Sequence, residues 1–147
     1  HVFPDEDIRI SSVDFGPHNT LFETDGRAIY LDFENAGRDY PLRTVVDVIN
    51  HQKTEQISLE LKKAFVQRYR DQAKLPQHVW EWFEPMRRLG LIEWHLLHLN
   101  HLSSTKLAQM KFALANDGFD EAGFIELKLG LAQRTLDAMI NVQAWKF

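Results

Sequence analysis

The 147 residues carry 17 Lys and Arg against 21 Asp and Glu, a net charge of −4, with 44% hydrophobic residues and no cysteine. That size suits one domain with a substantial core, the acidic balance without a basic cluster argues against a nucleic-acid partner, and the missing thiol excludes disulfides, thiolate metal sites and a cysteine nucleophile. No apolar run approaches the ~20 residues of a spanning helix and the N-terminus lacks a signal-peptide layout, so no membrane partner and a cytoplasmic location are expected.

In chain order, "IRISSV" (8–13) is short and β-branched and reads as extended. "VDFGPHN" (13–19) follows as a loop, and "NTLFETDGRAIYLDF" (19–33) holds two apolar segments around Asp25-Gly26. Asp-Gly between such segments predicts a hairpin closed by a two-residue type I′ turn. In that register Thr24 faces Arg27, Leu21 faces Tyr30 and Asn19 faces Asp32. Glu34, two residues beyond Asp32, shares its face if the strand continues.

Past Pro41, which suits a first helical turn, the spacing becomes helical. "LRTVVDVINHQ" is the first segment, and "ISLELKKAFVQRYR" sets Ile57, Leu61, Phe65 and Tyr69 in one stripe. Pro76 and Pro85 punctuate "QHVWEWFE" and "MRRLGLIEWHLLHLNHL". "STKLAQMKFALAN" has Ser103 or Ser104 as N-cap and Gly118 beyond its end, and "EAGFIELKLGLAQRTLDAMINVQAW" closes the chain. The expectation is an α+β chain: a small β-hairpin at the N-terminal end, then about five helices over 41–147.

The predicted register gathers chemistry. Directly opposed residues have Cβ atoms ~4.5–5.5 Å apart, so Asn19, Asp32 and Glu34 converge on one volume with Asp14 on the loop leading in. Three carboxylates and an amide oxygen form a hard, all-oxygen set suited to Mg²⁺ or Mn²⁺ rather than Zn²⁺. With Asn19, Asp32 and Glu34 on the metal side, Asp14 is left as the base, the division of labour that phosphoryl transfer needs. Asp and Asn also populate loops because they hydrogen-bond their own backbone, so the spacing alone leaves a plain turn open.

"VDFGPHNTLFETDGRAIYLDFENAG" resembles the catalytic loop, hairpin and metal-binding segment of the aminoglycoside phosphotransferase and choline kinase group, the small-molecule kinases with a protein-kinase-like fold. In that group an Asp and an Asn five apart precede a hairpin and an "IDFE" or "IDWE" segment. "MRRLGLIEWHLLHLNHL" is similar to the C-terminal lobe of bacterial members, so the resemblance covers nearly the whole chain. It implies a single-domain, mainly helical C-terminal lobe, with the catalytic loop and metal-binding hairpin in 8–34. It implies Asp14 as catalytic base, Asn19 and Asp32 as ligands of Mg²⁺ on the phosphates of ATP, and Glu34 for a second metal or for orienting the first. The implied reaction transfers the γ-phosphoryl group to a hydroxyl of a small-molecule substrate.

Two departures qualify it. Ser12-Val13 stands where the group has His-Gly, and every Lys, from Lys53 onward, falls in the helical part. The phosphate-covering loop and strand Lys of a complete kinase are therefore expected from a missing N-terminal lobe. A non-catalytic kinase-like binding module is the alternative.

Other polar groups read as structural. His95, His98 and His101 are expected at the border of a buried helix rather than on a metal, the four Trp in the core and His18 in water at its turn, while Asp71, Glu81, Glu84 and Glu93 suit equally a pocket for a cationic substrate, as the resemblance implies, or a solvated helix face.

Overall fold

A computed structural model describes residues 4–12, 14–115, 118–141 and 145. Four short strands and six helices follow one another: β1 (Arg9–Ser11), β2 (Thr20–Phe22), β3 (Ala28–Tyr30), β4 (Gly37–Asp39), α1 (Leu42–Asn50), α2 (Leu59–Ala73), α3 (Gln77–Trp80), α4 (Phe83–Asn100), α5 (Ser104–Ala113) and α6 (Glu121–Ile140). The α+β class and the N-terminal hairpin agree with the sequence reading. The chain divides into two compact units, one running through Arg87 and including Trp145, the other beginning at Arg88.

The first unit holds two antiparallel two-stranded sheets. β1 pairs with β4, setting Ile10 opposite Arg38, and β2 pairs with β3, setting Leu21 opposite Ile29. The hairpin register differs by one residue from the prediction. Asp25 turns its carboxylate back onto the Arg27 N–H (3.0 Å), and only Gly26 takes positive φ (87°), with its N–H donating to the Glu23 carbonyl (3.0 Å). The result is a three-residue loop, a type I turn closed by a left-handed glycine. Asn19 therefore meets Leu31, whose N–H donates to the Asn19 carbonyl (2.9 Å), and Asp32 lies one residue further on. The strand also stops at Tyr30 and a turn holds Glu34, so strand alternation does not align Glu34 with Asp32.

α1 organises the core. Leu42, Val45, Val46 and Ile49 fall at i, i+3, i+4 and i+7 and are all buried, one apolar face of a helix. They pack with Tyr40, Val66 of α2, Val79 and Trp80 of α3, and Phe83 at the start of α4. The Tyr69 hydroxyl donates to the Pro41 carbonyl (3.1 Å), which ties α2 to the start of α1. Of the predicted stripe on α2, Phe65 and Tyr69 pack on the core while Leu61 is 60% exposed. Trp80 is buried, whereas Trp82 is exposed.

Pro85 lies inside the first turn of α4 rather than between helices. A proline fits there because first-turn N–H groups have no intrahelical partner. In the second unit, Ser103 caps α5 by accepting from the Lys106 N–H, and Asp120 caps α6 by accepting from the Gly123 N–H (3.0 Å). His98, Leu91, Leu131, Ala132 and Lys128 are buried there. The predicted ends at Val13, Asn116 and 142–144 lie outside the described residues.

Candidate functional site

α1 and the turn after it build the site around Asp14. α1 stops at Asn50, and His51 takes an extended conformation (φ −62°, ψ 138°). The buried Thr54 hydroxyl lies 2.7 and 2.8 Å from the Val48 and His51 carbonyls and shares its single proton between them, and the Lys62 ammonium donates to the Ile49 carbonyl (2.8 Å). These bonds satisfy the carbonyls that a helix end leaves open, and they fix where His51 leaves the helix.

Asp14 has positive φ (64°), a region that Asp tolerates better than most residues. Its N–H donates to the carboxylate of Asp47 on α1 (2.9 Å), and its carbonyl accepts from Asn19 Nδ2 (2.9 Å). Its Oδ1 lies 3.0 Å from His18 Nε2 and 3.3 Å from His51 Nε2, while Oδ2 is 3.4 Å from Asn19 Nδ2. His18 and His51 stack, with ring centroids 4.1 Å apart and 11° between planes. The loop is tied to the hairpin by Thr20 Oγ1 donating to the Gly16 carbonyl (2.9 Å) and by Phe15 against Tyr30, centroids 4.9 Å apart.

His51 Nδ1 accepts the Lys53 N–H (3.0 Å), so the neutral ring carries its proton on Nε2, toward Asp14. Burial pushes His51 down to about 4 against the pull of Asp14. It is a neutral donor at physiological pH.

Asp14, His18 and His51 present ligand atoms within 4.8 Å of one another. One feature opposes a metal there: His51 Nδ1 accepts the Lys53 N–H, so its Nε2 carries the ring proton, which an ion at that nitrogen would have to displace. The three groups act as two donors on one carboxylate.

The hard-metal set expected from sequence is placed as follows. Asn19 is half-buried, and because its Nδ2 is spent on the Asp14 carbonyl, its Oδ1 is left as a hard oxygen donor. Asp32 is exposed, has positive φ (63°) and follows the residue bonded to Asn19. Glu34 is exposed in its turn. An amide oxygen and a carboxylate are donors that suit Mg²⁺, but Asn19 pairs with Leu31, so the register does not set the two opposite each other. The structure thus joins Asp14 to Asn19 directly and pairs Asn19 with Leu31 in place of Asp32; it does not group Asp14 with Asp32 and Glu34 in a three-carboxylate cluster among the described residues.

Sequence reading missed Asp47 and His51. A carboxylate inside the apolar run "TVVDVIN", adjacent to the buried Val46, was the available signal for Asp47. His51 had none, being distant in sequence from the loop it serves. His18 is exposed as a residue, as expected, but its ring lies on His51, which leaves the side chain 19% exposed. His95 and His101 bond to the Ala132 and Leu97 carbonyls, and His98 is buried, so the structural reading of that series stands.

No family model, no curated protein and no solved structure matches the chain.

Proposed function

We propose that the chain forms the catalytic and substrate-binding lobe of an ATP- and Mg²⁺-dependent phosphotransferase acting on a hydroxyl of a small molecule. The observation that carries this reading is Asp14: a half-exposed carboxylate on a left-handed loop residue, held through its N–H, its carbonyl and its Oδ1, with Asn19 locked to it. A general base requires such a fixed rotamer and one accessible oxygen. Asp14 accepts the hydroxyl proton, the hydroxyl oxygen bonds to the γ-phosphorus, and the bond from that phosphorus to the bridging oxygen breaks to release ADP. Asn19 and Asp32 would hold Mg²⁺, with Glu34 outside them, and the ion would supply charge neutralisation on the phosphates.

The partner in this reading is an N-terminal lobe bearing the phosphate-covering loop and a Lys. The exposed apolar side chains of the hairpin, Leu21 at 55% and Phe22 at 71% among them, support such a partner. A cytoplasmic location belongs to the same proposal, since ATP is the donor. The alternative is a non-catalytic kinase-like binding module.

The test is transfer of labelled γ-phosphate from Mg-ATP to a panel of amino alcohols, amino sugars and sugars by the protein as encoded. Asp14→Asn, which tolerates positive φ, should lower turnover by ~10²-fold or more while nucleotide binding by calorimetry persists. Undiminished turnover in that variant overturns the assignment. Failure of the wild-type protein to bind nucleotide with Mg²⁺ overturns the phosphotransferase reading and favours the binding module.

A further inference from the structure

Asp14 offers two oxygens, and the fold treats them differently. Two imidazole N–H groups converge on Oδ1, at 3.0 Å from His18 and 3.3 Å from His51, whereas the contact at Oδ2 is Asn19 Nδ2 at 3.4 Å. We infer that His51 is a positioning residue for the base: its Nε2–H, backed by the stacked ring of His18, holds Oδ1 and leaves Oδ2 to take the acceptor's proton. The inference rests on the phosphotransferase reading above.

Three features set His51 up for this role. Its ring is buried, 6% exposed, at the exit of α1, where the Thr54 and Lys62 bonds to the helix end hold its backbone. Its tautomer is imposed by a backbone group, the Lys53 N–H, and not by a mobile side chain. His18 is pressed onto it with help from Gly16: a Cβ at that position would lie 2.9 Å from two atoms of the His18 ring.

The chemistry favours a neutral donor. A protonated His51 would add a positive charge at Oδ1, stabilising the carboxylate and weakening it as a base, whereas its neutral N–H orients the carboxylate with a smaller loss of proton affinity. Burial keeps His51 neutral. A structural bond alone would not require Oδ1 to be doubly occupied while Oδ2 keeps one long contact.

The experiment has two readouts on the protein as encoded. Ring-nitrogen NMR of wild type should show His51 as the neutral Nε2–H tautomer between pH 6 and 8; a protonated ring, or a proton on Nδ1, overturns the inference. Equimolar Zn²⁺ should leave the His18 and His51 signals in place, and coordinated shifts of both would make the pair a metal site and overturn the donor role. In transfer assays, His51→Leu should lower kcat about tenfold to a hundredfold with the KM for ATP unchanged. His51→Gln, whose Nε2 keeps a donor at similar reach, should recover most of that loss. Equal kcat in wild type and His51→Leu overturns the positioning role alone. If His51→Leu does not fold, His51→Gln decides: near wild-type kcat supports the donor role, and a loss as large as that of Asp14→Asn overturns it. A wild-type protein with the expected ring state that transfers phosphate to no acceptor overturns the phosphotransferase reading, and the role with it.

Discussion

Asp14 takes its orientation from residues far along the chain, and the energetics of that arrangement sit in Asp47. The Asp47 side chain is buried and accepts the Asp14 N–H across a separation of 33 residues. Asp47→Ala leaves that N–H in a half-buried loop without its carboxylate partner, a loss of about 1–3 kcal/mol; Asp47→Asn keeps an acceptor oxygen and should lose less. Urea unfolding of both variants checks the order, and equal midpoints would mean the bond to Asp14 carries no stability. A second prediction concerns His51 and His98, each pushed down to about 4, primarily by burial, with neighbouring cations such as Lys128 and His101 adding at His98. In the unfolded chain a histidine takes its proton near 6.5. Between that value and about 4 the unfolded state binds more protons, so stability falls as pH drops through this window and levels off below it. Each histidine should contribute on the order of 2–3 kcal/mol of that fall. Denaturant midpoints at pH 7, 5 and 4 measure the slope, and His98→Leu should flatten its own share. These long-range pairings left little trace in the sequence, because nothing local to "VINHQ" marks a histidine that serves a loop near the N-terminus.

The elements themselves were more legible, since local spacing decides them. The buried face of α1 and the Ser103 cap follow from periodicity and capping chemistry readable in a dozen residues. The hairpin was legible as a hairpin but not in its register. Asp25 had two options, positive φ in a two-residue turn or a side-chain bond to the Arg27 N–H at negative φ, and it takes the second. That choice moved Asn19 from Asp32 to Leu31 and dissolved the expected face-to-face metal pair. The pairing of β1 with β4 is non-local, and no pattern within "IRISSV" specifies it. Helix propensity also yields a test where two effects compete, at the two glycines of α6. At Gly130 a Cβ would meet Arg134 Nη1 at 3.6 Å, an ordinary contact, so Gly130→Ala should stabilise by about 0.5–1 kcal/mol. At Gly123 a Cβ would lie 2.3 Å from Asp120 Oδ2, so Gly123→Ala must displace the capping carboxylate. A lost cap costs about 1 kcal/mol, which cancels the propensity gain. Thermal unfolding should therefore raise the midpoint for Gly130→Ala only; an equal rise for both would show that the Asp120 cap contributes nothing.

Exposed apolar side chains occur on the helices, Leu61, Leu89 and Phe112 among them, as well as on the hairpin. α1 hides its apolar face completely, while Leu21, Phe22, Ile29 and Tyr30, on two strands of three residues each, are all at least 43% exposed. Phe22 and Tyr30 also line an apolar cleft of about 320 Å³ whose other wall includes Val48, Ile49, Ile57 and Phe65. A two-stranded ribbon has little stability of its own, so this one persists through Phe15 and the loop bonds that tie it to the α1 side of the site. Contiguous exposed apolar groups of this kind mark contact surfaces, and they lie on the element that holds Asn19's partner strand. The chain produced by itself should bind a hydrophobic dye such as ANS and elute at larger apparent size as concentration rises. Phe22→Ser should reduce dye emission several-fold and leave the denaturant midpoint nearly unchanged, because a side chain already 71% exposed contributes little burial. If emission is unaltered the dye reads another surface, and the hairpin is not the chain's main apolar contact face.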